Sequence, residues 1–142
     1  MYFKPLGEQS SLPIKSQCAD IYVEYLNSRG IKTDGKDPFE VWQRASSFLM
    51  NYYVQSESKV LAIGSFSINR ELQSAMLHNI VVRSSDTRNG VGRFLVDRLE
   101  REITVAGISR VDLNSTYLAI PFYEALGYQR DGLSSNYFYK NL

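Results

Sequence analysis

The chain has one cysteine and one histidine in 142 residues, and each scarcity closes off a class of function. A lone Cys18 leaves no internal disulfide framework and no thiolate metal cluster. A lone His78 leaves no two-histidine metal site, so no metal is expected. The net charge is only +1, too small to form the broad basic field that nucleic acid requires. No apolar run reaches the roughly 20 residues that span a bilayer, and the N-terminus lacks a signal-peptide pattern. The expectation is a cytoplasmic protein with neither a membrane nor a nucleic-acid partner. No repeat, linker or low-complexity segment divides the chain, so residues 1–142 read as one domain around one core.

What is present is a clear alternation of periods. Residues 1–6 suggest a short strand, held to a sheet edge by Pro5. Ser10, Ser11 and Pro13 resemble a helix start, and Ile14, Cys18, Ile21, Tyr22, Tyr25 and Leu26 follow helical spacing up to a stop at Gly30. Asp37-Pro38-Phe39-Glu40 reads as a cap, a proline at the first helical position and an acid behind it, opening a second helix over 38–47 with Val41, Trp42 and Ala45 inward. Strands are predicted over 48–55, 60–68 and 75–82, rich in β-branched and aromatic residues. Val91, Leu95, Leu99 and Ile103 mark one face of a helix ending near Gly107. A strand over 110–113, a helix over 119–126 and a closing hairpin from 128–130 and 137–140 complete the order. Together they predict an α/β (α+β mixed) fold, with helices on both faces of a mixed central sheet. The unit over 75–113 should be a parallel crossover.

Two segments carry chemistry. The first is the turn Thr87-Arg88-Asn89-Gly90-Val91-Gly92-Arg93. A helix N-terminus exposes free N–H groups and a partial positive charge. Gly90 and Gly92 lack the side chains that would keep a diphosphate away, Asn89 tolerates a left-handed conformation, and Arg88 and Arg93 add charge. The same residues also suit a plain strand-to-helix turn. Leu95 stands where a dinucleotide fingerprint needs its third glycine, and no lysine-serine/threonine pair completes a P-loop. The second segment is Pro121-Phe122-Tyr123-Glu124-Ala125-Leu126-Gly127-Tyr128. Its tyrosine is either a proton donor at a cleft or a core aromatic on an amphipathic helix.

In this order, the two segments resemble the GCN5-related N-acetyltransferases (GNAT). That family's signature is Arg or Gln, two residues, Gly, one residue, then Gly or Ala, after a strand and opening a long helix. Here the first position is Thr87, with Arg88 next along. The resemblance implies a mostly antiparallel GNAT sheet, acetyl-CoA (coenzyme A) as cofactor and transfer of an acetyl group to an amine. It implies that the amides of Arg88, Asn89, Gly90, Val91, Gly92 and Arg93 hold the pyrophosphate and that the backbone of Ile80 and Val82 pairs with the pantetheine arm. It gives Phe122 and Asn114 contacts to the cofactor, although Asn114 also fits a simple turn cap. Tyr123 is implied as the acid for the coenzyme's sulfur.

For the base, relatives often carry a glutamate where Met76 stands. His78 has a suitable intrinsic pKa and, by strand alternation, should share a face with Met76 and Ile80; it aligns with a histidine of the arylalkylamine N-acetyltransferases. A partly buried strand residue, or a water held by Glu40 or Glu71, remains open. The acceptor is expected to be a small-molecule amine; Glu24, Asp34, Asp37 and Glu40 are candidates to attract it. A protein acceptor, or an acyl-CoA-binding module without turnover, are the alternatives. Homodimers are common among such relatives, and Tyr137-Phe138-Tyr139 is a candidate edge contact.

Overall fold

The computed structural model describes residues 1–132 and 135–142. The chain runs β1 (Tyr2–Leu6), α1 (Leu12–Ser28), α2 (Pro38–Ser46), β2 (Met50–Ser56), β3 (Lys59–Asn69), β4 (Ser74–Val82), α3 (Val91–Val105), β5 (Arg110–Asn114), α4 (Ile120–Ala125), β6 (Gln129–Arg130) and β7 (Tyr137–Asn141). The seven strands form one sheet in the order β1-β2-β3-β4-β5-β7-β6. Every pairing is antiparallel except β4 with β5, the expected parallel crossover through α3.

The helices start where the capping residues place them. The Ser11 hydroxyl accepts from the Ile14 amide, and Asp37 accepts from the Phe39 amide, each just before a helix with proline in its first turn. α1 and α2 cover one face of the sheet, where Cys18, Ile21 and Trp42 meet Tyr53, Ile63 and Val81. Cys18 is wholly buried there, and burial pushes its thiol up to about 12. α3 and α4 cover the other face. Val91, Leu95, Leu99 and Ile103 point inward as their spacing predicts, against Phe66, Leu77, Val111 and Phe138.

Two local expectations are corrected. β2 begins at Met50, because Phe48 takes a left-handed φ of 64° and its side chain is fully exposed. The Asn51 side chain fixes that corner by donating to the carbonyls of Ser46 and Leu49. On α3, Arg101 pairs with Asp97, and Arg98 lies over the rings of Phe3 and Phe94. Finally, Tyr137-Phe138-Tyr139 is not a sheet edge. β7 lies between β5 and β6, and Phe138 is wholly buried.

Candidate active site

β4 and β5 run side by side for only two residue pairs, Ala75 with Val111 and Met76 with Asp112. Beyond Met76 they part. From Leu77 to Val82 the edge of β4 that faces β5 has no strand partner among the described residues, although the other edge stays paired with β3. The amide of Arg83 donates to the Leu61 carbonyl of β3. Alternate amides along a strand point to opposite edges, so those of Val82 and Ile80 face the open side.

A bulge at Asn79 sets what each face of β4 presents. Ile63 pairs with Val81 and Ser65 with His78, so Gly64 alone stands opposite both Asn79 and Ile80. Asn79 has a φ of 54°, and its side chain donates to the Ala45 carbonyl at the end of α2. The extra residue breaks the alternation. Ile80 and Val82 turn toward α3, while His78 keeps the α1/α2 face with Val81. His78 therefore does not share a face with Ile80, as uninterrupted alternation predicted.

The loop from β4 to α3 makes a single 3-10 turn over Ser84–Asp86, closed by the Thr87 hydroxyl donating to the Ser84 carbonyl. Arg88 then takes a φ of 70° and Gly90 a φ of 77°. The left-handed position falls on Arg88, not on Asn89. Left-handed residues in a turn gather successive amides into an anion-binding concavity. Gly90 starts α3 without a side-chain cap, and the first intrahelical bond runs from the Phe94 amide to the Gly90 carbonyl. The amides of Val91, Gly92 and Arg93 are left for other partners. Open space surrounds the Cβ position of Gly90, whose requirement for glycine is its φ. At Gly92 a Cβ would sit 3.1 Å from the Phe122 ring. This glycine therefore lets α4 lie close to α3, a packing role that the turn motif alone did not reveal.

α4 carries Tyr123 into the gap. A turn over Tyr117–Ala119 and Pro121 in the first helical turn set its start; Gly127, with φ 92°, follows its end. The Tyr123 ring is 7% exposed and held edge-on by Phe122 and Tyr128, with centroids 5.0 and 5.7 Å away. Tyr128 is tied to α3 through its hydroxyl, which donates to Glu100 at 2.7 Å; Lys140 pairs with the same carboxylate. The Tyr123 hydroxyl makes no hydrogen bond among the described residues. Burial, and secondarily the nearby Tyr25, raise its pKa well above the ordinary phenol value, so the hydroxyl keeps its proton. It lines a cleft of about 300 Å³ together with Ile80, Leu113, Asn114, Tyr25 and Arg29.

His78 opens elsewhere. Its Nε2 lies 3.0 Å from the Ser67 hydroxyl, and burial lowers its pKa, favouring the neutral ring. It lines a second cavity, about 680 Å³, with Ser67, Glu71, Met76, Asp112 and Tyr137. Asp112 is buried and bonded to Arg110 at 3.0 Å. The two cavities therefore lie beside the point where the strands part, the Tyr123 cleft walled by α1 and α4 as well as β4 and β5, the His78 cavity by β3, β4, β5 and β7.

The acids expected to attract an amine do not line the Tyr123 cleft. Glu24 accepts from Ser84 at 2.6 Å, Asp37 caps α2, and neither Asp34 nor Glu40 is among the cleft residues. What sequence reasoning missed is the bulge at Asn79, the pair Tyr25 and Arg29, and the junction of Asp112 with Tyr137. An asparagine inside the apolar run Met76-Leu77-His78-Asn79-Ile80-Val81-Val82 was the available sign of a bulge.

The model of the acetyltransferase (GNAT) family matches residues 16–128, and the chain belongs to that family. It is thus a GNAT N-acetyltransferase, and the family's cofactor is acetyl-CoA. The fold is shared with an aminoglycoside 6'-N-acetyltransferase in complex with coenzyme A, at 18% identity and a TM-score of 0.80 over 99% of this chain and 97% of that one. It is shared with the PaiA N-acetyltransferase of Thermoplasma acidophilum in complex with coenzyme A, at 14% identity and 0.71 over 100% of both chains. Tetrahymena GCN5 matches at 12% identity and 0.76, over 99% of this chain and 96% of that one. No curated protein matches by sequence. Among the described residues no helix is long and apolar enough to cross a membrane.

Proposed function

We propose that this chain transfers an acetyl group from acetyl-CoA to the primary amine of a small molecule, with donor and acceptor bound together. One observation carries the reading. The open edge of β4 beyond Met76 leads from a loop of free amides at one end to Tyr123 beside the gap.

The residues fit the cofactor. The amides of Ile80 and Val82 receive the pantetheine arm as a further strand on the open edge. The diphosphate is held by the amides of residues 88–93, with the charges of Arg88 and Arg93 beside them. Phe122 and Asn114 bound the path toward the thioester. When bound, acetyl-CoA supplies an activated acetyl group whose departing sulfur needs a proton. Tyr123 donates it, and the raised pKa keeps the phenol protonated through the neutral range. His78, kept neutral by burial, takes a proton from the incoming amine on the α1/α2 side. Acid and base thus act from opposite faces of the sheet through the gap between β4 and β5. The small-molecule acceptor is supported by the aminoglycoside acetyltransferases among the neighbours and by a net charge of only +1.

A thermal unfolding scan tests the cofactor, with NADH and ATP as controls. Acetyl-CoA at a hundred times its Kd should add about 2.7 kcal/mol of stability. A shift with acetyl-CoA but no acetylation of any amine would favour a binding module instead, for which Thr87, in place of the family's Arg or Gln, is the specific sign.

A further inference from the structure

The Tyr123 cleft has one charged side chain among the described residues that line it, and that side chain is a cation, Arg29. The guanidinium is held in place. Its carbon lies 5.5 Å from the centre of the Tyr25 ring, and Nη1 donates to the Tyr25 hydroxyl at 3.0 Å. Among the described residues no carboxylate pairs with it. An arginine fixed by stacking and one hydrogen bond, with its remaining donors free, is prepared for a planar anion. Arg29 follows the end of α1, the helix on the sheet face to which His78 also points.

We infer that the acceptor carries a carboxylate beside its amine, as an amino acid does, and that Arg29 pairs with that carboxylate. This rests on the proposed amine acetylation and names its substrate class. The alternative anion is the coenzyme's own phosphate. That charge already has a site at the α3 N-terminus, and the neutral pantetheine arm separates it from the end that reacts beside Tyr123. A polycation such as an aminoglycoside would meet a like charge here and no counter-charge.

The test is calorimetric binding to the CoA-loaded protein, alongside acetylation rates. The probes are free amino acids and γ-aminobutyrate, their carboxamides, spermidine and kanamycin. The wild type should bind the carboxylates at least tenfold more tightly than the carboxamides. Arg29→Gln should erase that preference, Arg29→Lys should restore part of it, and the Kd for CoA should stay within about threefold. Arg29 is exposed, so a melting curve of each variant serves as the folding control. Equal binding of carboxylates and carboxamides overturns the inference. So does an Arg29→Gln variant that weakens CoA alone. If the carboxylate preference is found without any turnover, the inference stands and the transfer reaction falls. If only carboxylate-free amines are acetylated, the reverse holds.

Discussion

The Tyr123 cleft and the His78 cavity meet where β4 and β5 part, yet they are made of different material. On the side proposed for the cofactor, the groups available for binding are mostly backbone, the amides of Ile80 and Val82 on an open strand edge and those of Val91, Gly92 and Arg93 at an uncapped helix start, with the Arg29 and Tyr123 side chains in the cleft where the strands part. On the other side they are side chains, with Ser67 from β3, His78 from β4, Asp112 from β5 and Tyr137 from β7. A backbone site tolerates wide change in sequence as long as the strand parts and the turn stays left-handed. A side-chain site changes with each substitution. At 12–18% identity to its structural neighbours, the chain keeps their fold.

The contrast can be tested by substitution. The largest effect should come from Tyr123→Phe, which removes one hydroxyl and leaves the ring contacts. Turnover should fall by about a hundredfold to a thousandfold, with the KM for acetyl-CoA nearly unchanged; steady-state kinetics checks both numbers. His78→Gln should lower kcat by about tenfold to a hundredfold, a smaller loss because the ring is partly exposed and water can relay the proton. The pH profile gives the sharper readout. Burial lowers the histidine pKa, so the neutral base is present at and above about pH 6.5, and wild-type kcat should fall only on the acid side of that value. The variant should lose that limb. The same shift disfavours protonation of the folded state, so the wild type should lose stability as pH falls below about 6.5, and the variant should lose less.

Gly92→Val probes the seam between α3 and α4. Its first added carbon meets the Phe122 ring at 3.1 Å, and overpacking of this kind costs about 1–3 kcal/mol, read as a lower Tm. Acetyl-CoA affinity should fall as well, because Phe122 packs edge-on against Tyr123 at 5.0 Å. Thr87→Arg should have the smallest effect, tightening acetyl-CoA by about threefold through charge near a helix N-terminus, with the gain fading at high salt.

The fold was legible in the sequence where signals are local. Ser11 with Pro13, Asp37 with Pro38, and the four-residue spacing of Val91, Leu95, Leu99 and Ile103 each act within one element, and each was found in its place. Phe48 was misread because a β-former at a helix exit looks like the start of a strand, while the φ of 64° is imposed by the corner that Asn51 ties. In the site, Gly90 and Tyr123 were visible in their motifs. The face of Ile80 was not, since one bulge at Asn79 reverses every side chain beyond it. Arg29 and Asp112 were invisible as cavity residues because their neighbours come from helices and strands far along the chain.

Amide hydrogen exchange along β4, with and without saturating acetyl-CoA, tests the open edge most directly. The amides of Ile80 and Val82 should slow sharply on binding, while Arg83, already bonded to Leu61, changes little. If acetyl-CoA binds and leaves Ile80 and Val82 exchanging as before, the cofactor lies elsewhere and the gap between β4 and β5 is not its site.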